Sequence, residues 1–271
     1  MIKTNWQNWS QGAELFYDPL AQTKSKIATF NADEGKLEGY ECTECNNKGL
    51  IAYLKEDNNI GFRDCRCRNM RVFLNRVQRS GLNGNVLDKT FDKFQAKEPW
   101  QQRIKEGAMA YAADPKGWFL LCGQSGSGKS HLCTAICLEL LHQDREVYYM
   151  PWRNDAPKLK YPRQEDPDWV ELMNRVKQVP VLYIDDLFKA GKGSPDTTGP
   201  TKAEINLAYD IISCRYNSCL TTIVSTEIYS QALVKIDEAV GSRLVEMAGE
   251  HVYNIKHAPG RNYRLRKTTE I

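Results

Sequence analysis

Residues Gly123–Ser130 read GQSGSGKS, and Trp118–Cys122, just ahead of them, read WFLLC. Gly123, Gly128, Lys129 and Ser130 match G-x-x-x-x-G-K-[ST], with a further glycine at Gly126. Each residue type has a physical reason. Glycines let backbone N–H groups close around phosphate oxygens without Cβ clashes, and a helix starting there turns the positive end of its dipole toward the anion. Lys129 suits the β- and γ-phosphates, and the Ser130 hydroxyl suits Mg²⁺. The flanks agree: WFLLC reads as a buried parallel strand, and Leu132, Ile136, Leu140 and Leu141 follow at helical spacing. In this reading Gly123, Ser125, Gly126, Ser127 and Gly128 form the loop around ATP. Lys129, Ser130 and His131 open the helix behind it.

A nucleotide-hydrolysing chain needs a second acidic element, and VPVLYIDDLF supplies one. Val181 to Ile184 form an apolar strand that ends on Asp185 and Asp186. Asp185 is expected to hold Mg²⁺ opposite Ser130, and Asp186 to orient or deprotonate the attacking water. The alternative for Asp186 is a cap of the next segment. The following KAGKGSPDTTGPT has a composition that resists packing and predicts a mobile connection. AEINLAYDIISCRYN then reads as an amphipathic helix and TTIVST as a further buried strand. That strand delivers Ser225 and Thr226 to the same edge, as γ-phosphate sensors or as a plain strand end. Arg243, in AVGSRLVEMA, stands near the start of a helical segment, either as a finger for a neighbouring subunit's nucleotide or as a solvated side chain. WFLLC, EVYYM, VLYID and TTIVST with helices between them imply an α/β fold with a parallel sheet covered on both faces.

The remainder of the chain is of another kind. Its 271 residues, 41% hydrophobic and 26% charged, suit one large and one small domain: 1–80, a linker 81–92, and 93–271. No apolar run is long enough for a membrane span and the start lacks the look of a secretion signal, so a soluble, cytoplasmic protein without membrane contact is expected. Nine cysteines in such a chain argue against a disulfide framework. Cys42 and Cys45 form C-x2-C, and Cys65 and Cys67 form C-x-C after nineteen intervening residues, a pattern for structural Zn²⁺. Cys122, Cys133, Cys137, Cys214 and Cys219 read as small apolar core residues. FRDCRCRNMRVFLNRVQRSG carries six arginines against one aspartate, as a phosphate-binding run or a solvated helix face. Trp6, Trp9, Leu15, Phe16 and Tyr17 are enough for a docking patch, not for a core. In PWRNDAPKLKYPRQ, Arg153, Lys158, Lys160 and Arg163 alternate with Trp152 and Tyr161, which suits single-stranded DNA or a common surface loop.

The paired cysteines, SGLNGNVLDKTFDKF, DPKGWFLLCGQSGSGKSHLCTAI, YYMPWRNDAPKLK, VLYIDDLFK, IDEAVGSRLVEMA and GRNYRLRK together resemble the DnaC/DnaI-type replicative helicase loaders, particularly phage forms with a zinc-containing N-terminal part. The resemblance implies an AAA+ P-loop ATPase using ATP and Mg²⁺, and an N-terminal zinc domain that grips a hexameric DnaB-type helicase. It further implies single-stranded DNA as a partner and self-association through the AAA+ domain. Arg243 falls where this family keeps its intersubunit finger, and Arg264, in NYR, resembles its second-sensor arginine. At the first sensor many AAA+ proteins carry asparagine; Ser225, Thr226 and Glu227 stand there instead. Two other functions fit parts of the pattern: a transposition helper ATPase of the IstB kind, and a zinc-dependent adaptor holding ATP without hydrolysis.

Overall fold

The computed structural model describes residues 18–82, 84–161, 163, 165–189 and 199–265. The N-terminal aromatic residues and most of the glycine- and proline-rich segment after Lys189 lie outside the described residues. The chain divides into two compact units, Met1–Leu74 and Asn75–Ile271. The division therefore falls six residues before the expected end of the first domain, within the helix Cys67–Arg79. Leu82, Val86 and Phe91, in the stretch read as a linker, are buried side chains.

In the first unit, helix α1 (Pro19–Ala32) starts where the Asp18 carboxylate accepts from the Leu20 amide, with proline at its first position. Strands β1 (Leu50–Leu54) and β2 (Ile60–Asp64) form an antiparallel hairpin that sequence reading did not register. The Asn31 side chain donates to the Ala52 carbonyl and accepts from the Ala52 amide, both at 3.0 Å, extending the hairpin's hydrogen bonding to α1. Helix α2 (Cys67–Arg79) begins on the second cysteine of the C-x-C pair.

In the second unit, helix α3 (Pro99–Ala113) leads to strand β3 (Phe119–Gly123), the phosphate-type loop and helix α4 (Lys129–His142). Strand β4 (Val147–Pro151), helices α5 (Trp152–Leu159) and α6 (Pro167–Gln178) and strand β5 (Val181–Asp185) follow. Helix α7 (Lys202–Asn217), strand β6 (Thr221–Thr226), helices α8 (Ser230–Ile236) and α9 (Glu238–Ala248) and strand β7 (Val252–Ile255) complete the described unit. The sheet runs β4-β5-β6-β3-β7 and every pairing is parallel. Its fifth strand, β7, went unread in the sequence.

The reasons for this order are local. Every residue of β3 is buried, as a strand covered on both faces requires. Helix α4 buries Leu132, Ile136, Leu140 and Leu141 and also Cys133, Cys137 and Leu138, so it is apolar around most of its circumference and lies deep in the unit. Thr201 and Glu204 form a reciprocal capping box at the start of α7, and the Asp237 carboxylate accepts from the Val240 amide at the start of α9. Because the strands are parallel, the ends of β3, β5 and β6 emerge on one edge, which brings Gly123, Asp185 and Thr226 together from distant stretches of sequence.

Two residue assignments need correcting. Cys122, Cys133 and Cys137 are buried, but Cys214 is half-buried and Cys219 is exposed at a turn with positive φ, outside the core. In the basic, aromatic insert, Trp152–Leu159 form helix α5, in which Trp152 is 1% exposed and belongs to the core beside Phe188, so it has no face to offer a base.

Candidate nucleotide and zinc sites

The loop between β3 and α4 needs its glycines. Gly123 has φ +111°, and a Cβ there would lie 2.1 Å from the Ile255 carbonyl oxygen; Gly128 has φ +95°, and a Cβ there would lie 2.7 Å from the Phe94 ring. Ser127 is buried and donates to the Gln124 carbonyl at 2.7 Å, which closes the loop on itself. Beside the loop opens a cleft of about 440 Å³ lined by Ser125, Gly126, Gly128, Lys129, Ser130 and His131. Asp186, Lys189, Glu227 and Arg264 line it as well, with Lys89, Lys93, Phe94, Gln95 and Tyr263. Gly123 and Ser127 shape the loop without lining the cleft.

Lys129 donates to the carbonyls of Gly123 and Gln124, both at 2.8 Å. Burial pushes its pKa down, while the negative charges of Glu227 and Asp186 oppose that shift. Ser130 donates to Asp185 Oδ1 at 2.9 Å, so the hydroxyl and carboxylate expected to share a cation are in contact. An all-oxygen pair of this kind suits Mg²⁺. Asp186 has φ +58° and pairs through Oδ2 with Lys189 at 2.9 Å; Lys189 also meets Glu227 at 2.8 Å. Burial alone would lower the Lys189 pKa, but hydrogen bonds to both carboxylates raise it. Glu227 is likewise lowered against burial by Lys189 and Ser125.

The two residues read as first sensors part ways, as successive strand residues do. Ser225 faces the acidic pair: its hydroxyl donates to Asp185 at 2.5 Å and accepts from the Asp186 amide at 3.1 Å. Thr226 turns away and donates to the Leu187 carbonyl at 2.9 Å. It is not brought to the cleft, and Glu227 lines the cleft in its place. His131 packs edge-on against Phe94 at 5.3 Å, with Nε2 2.8 Å from the Thr90 carbonyl oxygen. Arg264 reaches the cleft because the Tyr263 amide donates to the Gly126 carbonyl at 2.9 Å, laying this part of the chain on the loop. Arg243 is in the middle of α9, not near its start, and does not line the cleft. Its guanidinium donates to Ala239 O and lies 5.4 and 5.5 Å from the ring centres of Tyr209 and Tyr216.

In the first unit, the sulfurs of Cys42, Cys45, Cys65 and Cys67 lie within 4.8 Å of one another, with 3.7 Å between Cys42 and Cys65 and 3.5 Å between Cys45 and Cys67. A Zn–S bond of about 2.3 Å implies roughly 3.8 Å between sulfurs in a tetrahedron, so the cluster fits zinc in size and in donor type. The Gly49 amide donates to Cys45 Sγ at 3.2 Å. Burial would raise the Cys45 thiol, but that amide and the neighbouring thiols bring it down to about 7. The arginine run around these cysteines is largely engaged: Arg63 and Arg66 pair with Glu44 and Arg68 with Asp64, while buried Arg71 donates to Asn47 at 2.9 Å and to the Glu38 carbonyl.

Sequence reading missed Tyr149, Tyr183 and Lys189. Tyr183 donates to Asp185 Oδ1 at 2.7 Å and Tyr149 to Oδ2 at 3.0 Å. Burial first, and the Asp185 charge after it, push the Tyr149 phenol above its ordinary pKa; Tyr183 is pushed up by burial, Cys133 and Asp185. Both remain donors at neutral pH. Lys189 had one weak sequence signal, a basic residue three places after the acid it pairs with.

Residues 49–270 match the family described as IstB-like ATP binding protein. The chain belongs to this family. It is 30% identical over 266 residues to the phage-like element PBSX protein XkdC of Bacillus subtilis (strain 168), covering 93% of this chain and 96% of that protein. It is 26% identical over 143 residues to the replicative helicase loader DnaC of Escherichia coli (strain K12), covering 51% of this chain and 58% of DnaC. A crystal structure of DnaI aligns with TM-score 0.50 at 20% identity, over 66% of this chain and 94% of that one. One of the DnaC helicase loader aligns with TM-score 0.50 at 21% identity, over 65% and 100%. At those identities the structures speak to the fold alone, which is the α/β AAA+ fold of DnaC and DnaI. With this family and fold, the second unit is an ATP-binding AAA+ domain. Among the described residues no helix is long and apolar enough to cross a membrane.

Proposed function

We propose that the chain is an ATP-hydrolysing loader that places a DnaB-type hexameric replicative helicase on single-stranded DNA in the cytoplasm. One observation carries this reading: Lys129, Ser130 and Asp186 line one cleft, and Asp185 lies behind it in contact with Ser130, in an AAA+ domain whose sequence is similar to that of the helicase loader DnaC. Lys129 would leave its loop carbonyls for the phosphates of ATP, and Ser130 and Asp185 would hold Mg²⁺, whose charge offsets that of the phosphates. Asp186, released from Lys189, would orient the attacking water. Arg264 would contact the γ-phosphate in cis. Arg243, turned away from its own cleft, would serve a neighbouring subunit when AAA+ units self-associate.

The four cysteines would hold Zn²⁺ and give the N-terminal unit the shape with which it grips the helicase. DNA contact would fall to Arg153, Lys160 and Tyr161 on and after α5; Lys158 and Arg163 are paired with Asp155 and Asp166. Nucleotide state would switch these affinities through differential contacts.

The test is helicase unwinding on a circular single-stranded template, which a closed ring cannot enter. Unwinding that requires this protein, and that Lys129→Ala fails to restore, supports the reading. A protein that turns over ATP but forms no complex with its cognate helicase in ATP or ADP contradicts it. That result favours a transposition helper, the second reading, which the family description IstB-like supports. A purely structural use of ATP is disfavoured because Lys129 and Asp185, which suffice for binding, are accompanied by Asp186 and Arg243, for which only hydrolysis would have a use.

A further inference from the structure

Asp185 accepts from four hydroxyls. Ser130, Tyr183 and Ser225 donate to Oδ1 at 2.9, 2.7 and 2.5 Å, and Tyr149 donates to Oδ2 at 3.0 Å. The serines belong to the phosphate-type loop and to the sensor strand. The tyrosines belong to neither motif. Tyr149 and Tyr183 are register partners on β4 and β5, and their rings lie 5.4 Å apart at 46°. Tyr183 and Asp185 are two apart on β5, which puts both on one face of the sheet.

The terminal torsion of an aspartate is broad, because rotation about the Cβ–Cγ bond meets no steep barrier. A single donor leaves that rotation partly open. One phenol on each oxygen closes it, since turning the carboxylate breaks at least one of two bonds made by rings that are themselves packed together. We propose that Tyr149 and Tyr183 are positioning residues for a divalent cation, fixing the Asp185 carboxylate against Ser130 from opposite oxygens. This rests on the reading of the cleft as a Mg²⁺–nucleotide site. The phenols never touch the nucleotide; they act through Asp185. Outer-sphere partners of metal ligands characteristically govern metal affinity on the order of 10–100-fold.

The experiment titrates Mg²⁺ against binding of a fluorescent ATP analogue by the full-length protein, in wild type, Tyr149→Phe, Tyr183→Phe and Asp185→Asn. The expected result is a midpoint shifted to roughly 10-fold higher Mg²⁺ in each tyrosine variant, with analogue binding in EDTA unchanged. Adding Tyr149→Phe to Asp185→Asn should shift nothing further. Thermal melts of the same samples report folding, and half-buried Tyr149 keeps the test informative if Tyr183→Phe is unstable. Midpoints within twofold of wild type, or a Tyr149→Phe shift that persists without the Asp185 carboxylate, overturn the positioning role. Wild type that binds no analogue with or without Mg²⁺ overturns the nucleotide reading as well, and is thereby told apart.

Discussion

The two units solve the problem of stability in different ways. Among the described residues of Met1–Leu74, the buried apolar side chains are Cys45, Ala52, Cys65, Cys67 and Phe73, three of them thiols. The second unit buries a continuous core running from Trp118 and Leu120 through Leu182 and Ile184 to Leu244. Among its described residues the first unit has few apolar side chains to collapse around, and a metal held by its four cysteines would supply stability that this core does not. The other collapses without one and can leave its functional cleft polar. The difference teaches that cysteines mean opposite things in the two halves: Cys65 faces three other sulfurs, whereas Cys133 is surrounded by packing that pushes its thiol far up in pKa and leaves it inert.

Breaking the metal cluster should give the largest effect. Structural zinc contributes on the order of 10–16 kcal/mol in small peptides, more than a core this sparse supplies. Cys65→Ser is expected to abolish zinc binding, unfold the first unit and end helicase binding while the AAA+ unit melts as before. Metal analysis and a two-transition melt check this. Next is the active-site comparison within the second unit. Arg243→Ala should lower hydrolysis in the assembled state by about 10³-fold or more and leave nucleotide affinity intact. Turnover measured against protein concentration separates the two, because a residue acting across subunits has no effect at high dilution.

Core truncation comes third. Leu182 is fully buried as the second residue of β5, and Leu182→Ala is expected to destabilise the second unit by about 2–5 kcal/mol, read from denaturant midpoints, with zinc content unchanged. The smallest effect is one of pH. Burial holds the His131 pKa below its ordinary 6.5, outweighing the hydrogen bond to the Thr90 carbonyl. The unfolded chain therefore takes up the proton first. Stability from this residue is complete above 6.5 and is lost as pH falls from there through the lowered folded value. His131→Gln should flatten that part of the stability profile, measured by melts across the acid range.

What the sequence made legible follows from the same physics. Strands β3 and β5 are buried on both faces, so they read as apolar runs, and the phosphate-type loop is a local motif whose glycines are demanded by local backbone. Strand β7 spans four residues with one buried side chain, which gives no period to read. Tyr149 was invisible because its contact with Asp185 depends on strand order and register, which place β4 beside β5; Tyr183, two residues before Asp185 on the same strand, was legible from the strand period and was passed over. Adjacent residues of a strand face opposite sides, but which of Ser225 and Thr226 meets Asp185 depends on how β6 lies beside β5. Trp152 was misread because an aromatic among lysines and arginines looks exposed until the helix that carries it is docked.

The most direct test measures ATP binding and zinc content in the same samples of wild type and Lys129→Ala. Wild type should bind ATP and carry one zinc per chain, and Lys129→Ala should lose ATP while keeping its zinc and its fold. ATP affinity retained in Lys129→Ala would contradict the phosphate site, and a wild-type protein purified and refolded with zinc yet free of it would contradict the metal site on which the contrast between the two units depends.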